Sequence, residues 1–556
     1  MRRRTLVPAS VTTLVALAAM LGAATAQAQT QPQATGWTAT ATKAVPMGSG
    51  LSSVGPLTPS TPMTVRVVLG LRNTSALHQE IAAGDVLSAA SFRQQFSPTA
   101  AQVSSVESYL RNEGLQPGTV TANNLIVSAT GPASAVQSAF DTTLDSVRLD
   151  GKTGFANTAA ARVPAALSTT VVSVLGLNSV FAATPASLDV RSTPAATNPA
   201  SSCTITGVPY LCDYNPQGLQ DAYDATGAAT GAKTSEAIFA EGDLTQVVKD
   251  LRQEETANAL PQVPVTIDHT GIASSDISGA DEWDLDTQYS TGMAQTVKQL
   301  VIYDAPTLTD SDLALSFADF ASHDTEKAGS ASFGGCEFDS YLDGSMLADD
   351  ESFAEAAAQG QTVFASAGDT GGFCSVGTPN GVPAGVPDVS YPASSPYVVA
   401  VGGTSLLTNA NGSYDEELAW TAGGGGISYF ETAPSWQAGD GVVGTIAGEA
   451  GLRTLPDVSM DADPNTGANV YVDGTPETVG GTSLSSPLAL GVWDRIESDH
   501  SESVPFASPL LYAENGTTAF HDITLGDTGP YAATPGYDLA TGIGSFDVAK
   551  AQALIK

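Results

Sequence analysis

Beyond about residue 203 the chain returns again and again to one pattern, in which short apolar runs alternate with helical stretches. The runs include Ala237–Phe239, Val263–Ile267, Gln299–Tyr303, Thr362–Ala365 and Tyr397–Val401, and the helical stretches include Asp350–Gln359 and Ser485–Ile496. Strands alternating with helices pack as a mostly parallel, doubly wound sheet, so an α/β fold is expected here. In such sheets functional groups gather outside the carboxyl ends of the strands. No internal repeat is visible.

At 556 residues the chain is too long for one ordinary domain. Arg2, Arg3 and Arg4 precede an apolar segment, Val11–Ala24, that is short for a bilayer span and is followed by the small-residue sites Ala24-Thr25-Ala26 and Ala26-Gln27-Ala28. That is the layout of a signal peptide cut after Ala28, with Ala26 as the alternative, and it predicts secretion. Residues 29–62 read as a Thr-, Ala-, Pro- and Ser-rich leader. The texture then changes: Met63–Leu71 and Asn124–Ala129 read as strands, Ser91–Gly114 holds two helical stretches, and Ser134–Leu144 reads as a helix. This is a small α+β unit of split βαβ type. Residues 183–202 lack periodicity and have a linker composition, with Arg191 a possible cutting point.

The net charge is −37, from 58 acidic and 21 basic residues, and only nine Lys and Arg follow residue 198. Such a balance argues against nucleic acid and anionic membrane as partners, since both are held by Lys and Arg. No later stretch is long and apolar enough to span a bilayer. An acidic working environment and a generic acidic secreted surface account for the charge equally well. In an exported chain Cys203, Cys212, Cys336 and Cys374 are expected to form two disulfides. Three pairings exist, and nearness in sequence favours Cys203–Cys212 and Cys336–Cys374. No zinc-like spacing is present.

Three segments could carry chemistry. In Gly480-Gly481-Thr482-Ser483-Leu484-Ser485-Ser486-Pro487 a Ser opens a helix, where its hydroxyl is presented beside free backbone N–H groups suited to an oxyanion. Taken alone, Thr482 or Ser483 is more often an N-cap. A nucleophilic Ser needs a base, and none of the five histidines is followed by Gly as a subtilisin-type His would be. In Asp281-Glu282-Trp283-Asp284-Leu285-Asp286, a helix would place Glu282 and Asp286 on one face, with Asp284 elsewhere. Two such carboxylates titrate together and one is raised, so the pair accepts a proton only where one member is ionised. A solvated acidic face is the commoner meaning of such a cluster taken alone. Finally, Ser366-Ala367-Gly368-Asp369 follows an apolar run, and a neutral Asp369 could donate a hydrogen bond to an oxyanion; a plain turn Asp has the same local sequence.

Together these segments resemble the sedolisin family of serine-carboxyl peptidases. So do Tyr391-Pro392-Ala393-Ser394-Ser395-Pro396-Tyr397 before Gly402-Gly403-Thr404, and Gly423–Ile427 with Pro434-Ser435-Trp436-Gln437. The match runs in family order from about residue 204 to 556, residues 63–145 resemble the family prodomain, and Lys43-Ala44-Val45 with Leu71-Arg72-Asn73 point to the bacterial xanthomonalisin and pseudomonalisin branch.

The resemblance implies a subtilisin-like catalytic domain over 203–556, preceded by a 29–182 propeptide with a ferredoxin-like core. The 183–202 linker would hold the maturation site. It makes Ser483 the nucleophile, Glu282 the general base and then acid, Asp286 its tuning partner, and Asp369 the oxyanion group beside the Ser483 N–H. It also implies one structural calcium ion, held by the Asp522 and Asp538 side chains and the carbonyls of Ile523, Thr534 and Gly536. Thr534 stands where the family usually has Gly, and Phe333 stands where many relatives have a cleft-lining Trp. The expected partners are protein or peptide substrates and the chain's own propeptide, with the enzyme a monomer. Filled catalytic positions argue against an inactive peptide-binding relative, and the missing His-Gly argues against a neutral, His-dependent enzyme.

Overall fold

The structure is a computed structural model that describes residues 36–48, 50–149, 151–185, 188–191, 201–204, 211–374, 382, 385–439 and 451–556. The expected signal peptide and most of the expected linker lie outside these residues.

The N-terminal unit is built on β1 (Pro62–Leu69), α1 (Ala100–Asn112), β2 (Gln116–Val120), β3 (Ile126–Pro132), α2 (Ala133–Ala139) and β4 (Val171–Leu175). Its sheet has the order β2-β3-β1-β4 with every pair antiparallel, the ferredoxin-like arrangement expected. Local signals place the helices. Thr99 and Gln102 form a capping box that starts α1, and Val103, Val106 and Leu110 recur at helical spacing to face Val65, Val67 and Leu69 of β1. The expected leader is not featureless: Trp37–Ala39 pairs with Arg162–Pro164, and Leu51–Pro56 with Leu144–Leu149. Its composition conceals strands because strand formation depends on the neighbours that tertiary structure supplies.

The larger unit contains β5 (Ser235–Glu241), β6 (Val265–His269), α3 (Ala280–Ala294), β7 (Gln299–Ala305), α4 (Asp310–His323), β8 (Ala328–Ala331), α5 (Ser345–Ala358), β9 (Thr362–Ser366), β10 (Val398–Thr408), β11 (Tyr414–Ala419), β12 (Val458–Asp461) and α6 (Thr482–Asp499). The sheet order is β6-β7-β5-β8-β9-β10-β11, with β12 also paired to β10, and β11 alone is antiparallel. The order reverses between β5 and β8, the kind of switch point where α/β sheets place their sites. Helix α6 is buried from Thr482 to Ser498, and α3 from Glu282 to Ala294.

The two units share a continuous interface. Leu77, Ile81, Phe92 and Phe96 pack with Ala354, Ala357 and Phe506. Arg66 pairs with Asp312 at 2.5 Å, the Leu71 N–H donates to Glu351 at 2.8 Å, and Asn123 Nδ2 donates to Glu355 at 2.8 Å. Cys336 and Cys374 form the expected disulfide. Cys203 stands opposite Cys212 in an antiparallel pair, and Cys212 is disulfide-bonded.

Burial pushes Glu355 up to about 8 and Glu351 up to about 7, although hydrogen bonds from Asn123 and Leu71 favour the charged forms. Arg93 also favours ionised Glu355, while Asp324 opposes it, and Asp350 opposes ionised Glu351. A carboxyl raised in the folded state contributes its full stability below its ordinary range, and that contribution is lost as pH rises through the folded value. With Ser483→Ala, which removes the expected nucleophile and keeps the chain whole, the protein should therefore lose stability between about pH 5 and 8, by up to about 1.4 kcal/mol per pH unit for each such group. Thermal unfolding across this range checks it: Glu351→Gln with Glu355→Gln should flatten the fall.

Candidate active site

Helices α3 and α6 are held unusually close. A Cβ on Gly491 of α6 would lie 2.5 Å from the Ser290 carbonyl oxygen and 2.8 Å from the Ala294 nitrogen of α3, so only Gly permits the contact. The approach brings the first turns of the two helices to the end of β8. Glu282 and Asp286, one turn apart on α3, are both fully buried, as is Ser483 on α6. Between them stands Ser332, the residue after β8. Its hydroxyl donates to Asp286 Oδ1 at 2.5 Å, and its carbonyl accepts from Ser483 Oγ at 3.0 Å. Burial, followed by the charge of Glu282, raises Asp286 well above the usual carboxylate range. Asp284 is turned to other acids, Asp250, Asp473 and Asp281, and burial pushes it up to about 9.

Pro487 does more than the sequence suggests. At the start of a helix it would cost nothing, but α6 begins at Thr482, so residue 487 would ordinarily donate to the Ser483 carbonyl. That carbonyl is left without its helical donor, and the Ser332 hydroxyl lies 3.4 Å from it.

On the other side of Ser483, Asp369 follows the end of β9 by three residues. Its Oδ1 accepts from the Thr482 backbone N–H at 2.8 Å and from the Thr482 hydroxyl at 2.7 Å. Burial outweighs both bonds and pushes Asp369 up to about 7. The N-cap of α6 is Gly481, at φ 118°, where a side chain would be strained, and no side chain caps the helix. Neither Thr482 nor Ser483 is thus spent on capping, and the Ser483 N–H lies in the first turn, which the helix itself does not use. Three of the four expected catalytic residues, Ser483, Asp286 and Asp369, are thus linked through Ser332 and Thr482, and Glu282 lies one turn from Asp286, whose ionisation its charge opposes. Among the described residues no histidine shares a hydrogen bond with Ser483: His269 pairs with Asp304, His323 lies near Asp268, and His521 stacks on Tyr414.

The backbone upstream of residue 192 runs along both flanks of this centre. Thr184 and Pro185 pair with Gly334 and Phe333, just after Ser332. Leu188–Arg191 pairs with Thr475–Gly480, just before Gly481. The Phe333 ring is wholly buried and packs edge-on to Trp283 at 6.2 Å, so the strand's backbone, rather than an aromatic wall, meets the linker.

Of the expected cation ligands, Asp522, Thr534, Gly536 and Asp538 lie together. Asp522 accepts from the Gly536 N–H through both oxygens at 3.1 Å, and Asp538 Oδ2 accepts from the Thr534 N–H at 2.7 Å. Two carboxylates thus flank one short loop, with Asp538 Oδ1 accepting from the Ala540 and Thr541 N–H groups; the expected set, two carboxylates and backbone carbonyls, is all oxygen, as a hard cation requires.

Two residues of the centre escape the sequence reading. Ser332, just before Phe333, is given no role there, and Thr482 appears only as a candidate cap. The motif GGTS and the Ser before Phe333-Gly334 mark both positions, but which atoms they touch depends on long-range packing.

Comparison with known proteins places this geometry. The family described as Pro-kumamolisin, activation domain, matches residues 49–180. Sedolisin of Pseudomonas sp. (strain 101) is 40% identical over 85% of this chain and 82% of its own length. Xanthomonalisin of Xanthomonas sp. (strain T-22) is 32% identical over 88% of this chain and 65% of its own. Among solved structures, Pseudomonas sedolisin, a serine-carboxyl proteinase complexed with two molecules of pseudo-iodotyrostatin, superposes with a TM-score of 0.58 at 38% identity, covering 61% of this chain and 97% of that one.

Gly491→Ala should force α3 and α6 apart, destabilising the protein by about 1–3 kcal/mol and lowering activity more than exposed-site controls. Chemical denaturation and a kcat measurement on the same preparation check both effects.

Proposed function

The chain belongs to the sedolisin family of serine peptidases, and on that premise we propose that it is a secreted, acid-active endopeptidase made as a self-processing precursor. The observation that supports this most is the pair of buried acids joined to Ser483 through one residue on each side, Asp286 through Ser332 and Asp369 through Thr482. Ser483 Oγ attacks the scissile carbonyl carbon, and its proton passes to Glu282, which later returns it to the leaving amine. Asp286 shares the buried charge with Glu282 and tunes its basicity. The carbonyl oxygen becomes an oxyanion that accepts from the Ser483 N–H and from neutral Asp369. Glu282 and Asp286 must hold one negative charge while Asp369 holds its proton, so activity rises as the pair first ionises and falls as pH climbs through about 7.

Residues 1–28 serve as signal peptide, 29–182 as propeptide, 183–202 as the segment cut in maturation, and 203–556 as the peptidase. Protein substrates and the propeptide share the cleft, which agrees with strand pairing on both flanks of Ser483 by residues 184–185 and 188–191. The active form should begin between about residues 185 and 205, and N-terminal sequencing that finds residue 29 on it would refute the processing.

Cleavage of a denatured protein from pH 2 to 8 tests the chemistry. The wild type should show an acidic optimum, Ser483→Ala should lose at least about 10⁴-fold in kcat, and Glu282→Gln about 10²–10⁴-fold. Neutral-pH activity that survives Glu282→Gln would overturn the assignment of the base.

One calcium ion held by Asp522, Asp538 and the carbonyls of Ile523, Thr534 and Gly536 would tie the C-terminal loops together. Chelation should then lower the melting temperature of the wild type and leave Asp538→Ala unaffected, as thermal unfolding with and without added calcium will show.

A further inference from the structure

We propose that Thr482 is a positioning residue that dictates which oxygen of the Asp369 carboxyl carries the proton, so that Oδ2–H is the donor offered to the substrate oxyanion. The inference rests on Asp369 acting as an oxyanion donor and concerns how that donor is aimed.

A neutral carboxyl has two forms, with the proton on either oxygen, and only one of them can donate in a given direction. At Asp369 the choice is made by the partners. The backbone N–H of Thr482 can only donate, and at 2.8 Å it faces Oδ1. A proton on Oδ1 would point against it. The Thr482 hydroxyl reaches the same oxygen at 2.7 Å. The Gly368 N–H donates to Thr482 Oγ1 at 3.1 Å and fills one of its two lone pairs; among the described residues the hydroxyl hydrogen meets no acceptor other than Asp369 Oδ1, so it is spent there. A directed chain results, from Gly368 N–H to Thr482 O–H to Asp369 Oδ1. Oδ2, by contrast, is buried with no hydrogen-bond partner among the described residues. An unpartnered buried oxygen is costly unless something arrives to meet it. In the reaction that is the carbonyl oxygen of the substrate. When Ser483 Oγ bonds to the carbonyl carbon, the carbonyl π pair moves to oxygen, the Ser483 proton goes to Glu282, and Oδ2–H hydrogen-bonds to the new oxyanion without transferring its proton.

Thr482 is well suited to this role. It is the first residue of α6 and adjoins Ser483, so one helical turn fixes both the nucleophile and the anchor of its oxyanion acid. Its β-branched side chain is restricted at χ1, which holds the hydroxyl in place.

The test compares full-length precursors after maturation, measuring kcat, KM and the pH profile on one peptide substrate. Thr482→Val keeps the shape and the backbone N–H but removes the hydroxyl. It should lower kcat about 10- to 100-fold with KM within about twofold. Loss of a bond that favours ionised Asp369 should also move the alkaline limb to higher pH. Thr482→Ser should restore both properties, which a merely structural role for the side chain would not require. If the Val variant fails to fold, Thr482→Ala is read by the same two measurements. A hydroxyl-less variant with either kcat or the alkaline limb unchanged overturns the proposal. Asp369→Ala separates the two levels: if it stays fully active, the oxyanion reading itself is wrong, whereas an inactive Asp369→Ala beside an unaltered Thr482→Val refutes only the role of Thr482.

Discussion

Everything in the catalytic unit depends on keeping several carboxyl groups out of water. Desolvation opposes their ionisation and outweighs the hydrogen bonds around Asp369 and Asp286. A dry carboxyl is useful only if its neighbours decide its state, and the packing supplies those neighbours. The close crossing of α3 and α6 at Gly491 carries Glu282 and Asp286 into the interior, while the Thr482 backbone N–H and the Ser332 hydroxyl donate to Asp369 and Asp286. The same physical cause reaches beyond the active centre. Glu351 and Glu355, raised by burial beneath the N-terminal unit, make the precursor's internal seam sensitive to protons as well.

On the proposed mechanism, this arrangement lets a serine enzyme dispense with histidine. An imidazole would be protonated throughout an acidic range and could not act as base. In the proposed mechanism a carboxyl pair sharing one charge can, because one member stays ionised while the other holds its proton. The proposed oxyanion site would follow the complementary rule: there a carboxyl must stay neutral, and burial without a counter-ion favours that.

Much of this was legible in the chain. The alternation of apolar runs and helices gave the parallel sheet because that pattern is local and strong, and Glu282 and Asp286 declared their shared face by helical spacing alone. Asp369 was placed by the strand before it. Where the reading fell short, long-range contacts were the reason. The leader's strands exist only because Arg162–Pro164 and Leu144–Leu149 lie beside them, the burial of Phe333 depends on Trp283, and Pro487 acquired its meaning only once α6 was seen to start at Thr482.

The two strand edges that flank Ser483 have a consequence of another kind. Phe333–Cys336 and Thr475–Gly480 each offer a row of peptide groups to whatever lies between them, and in the precursor that is the chain's own backbone. Peptide groups are common to every sequence, so a cleft that binds by completing two ladders discriminates first by conformation. It admits a segment that can lie fully extended over several residues and rejects one locked in a helix or already paired in a sheet. A folded protein would become accessible to such a cleft only as it loosens, and the acidity that sets the charge of the catalytic carboxyls also loosens proteins by protonating their own paired carboxylates. One variable would then prepare both sides of the encounter.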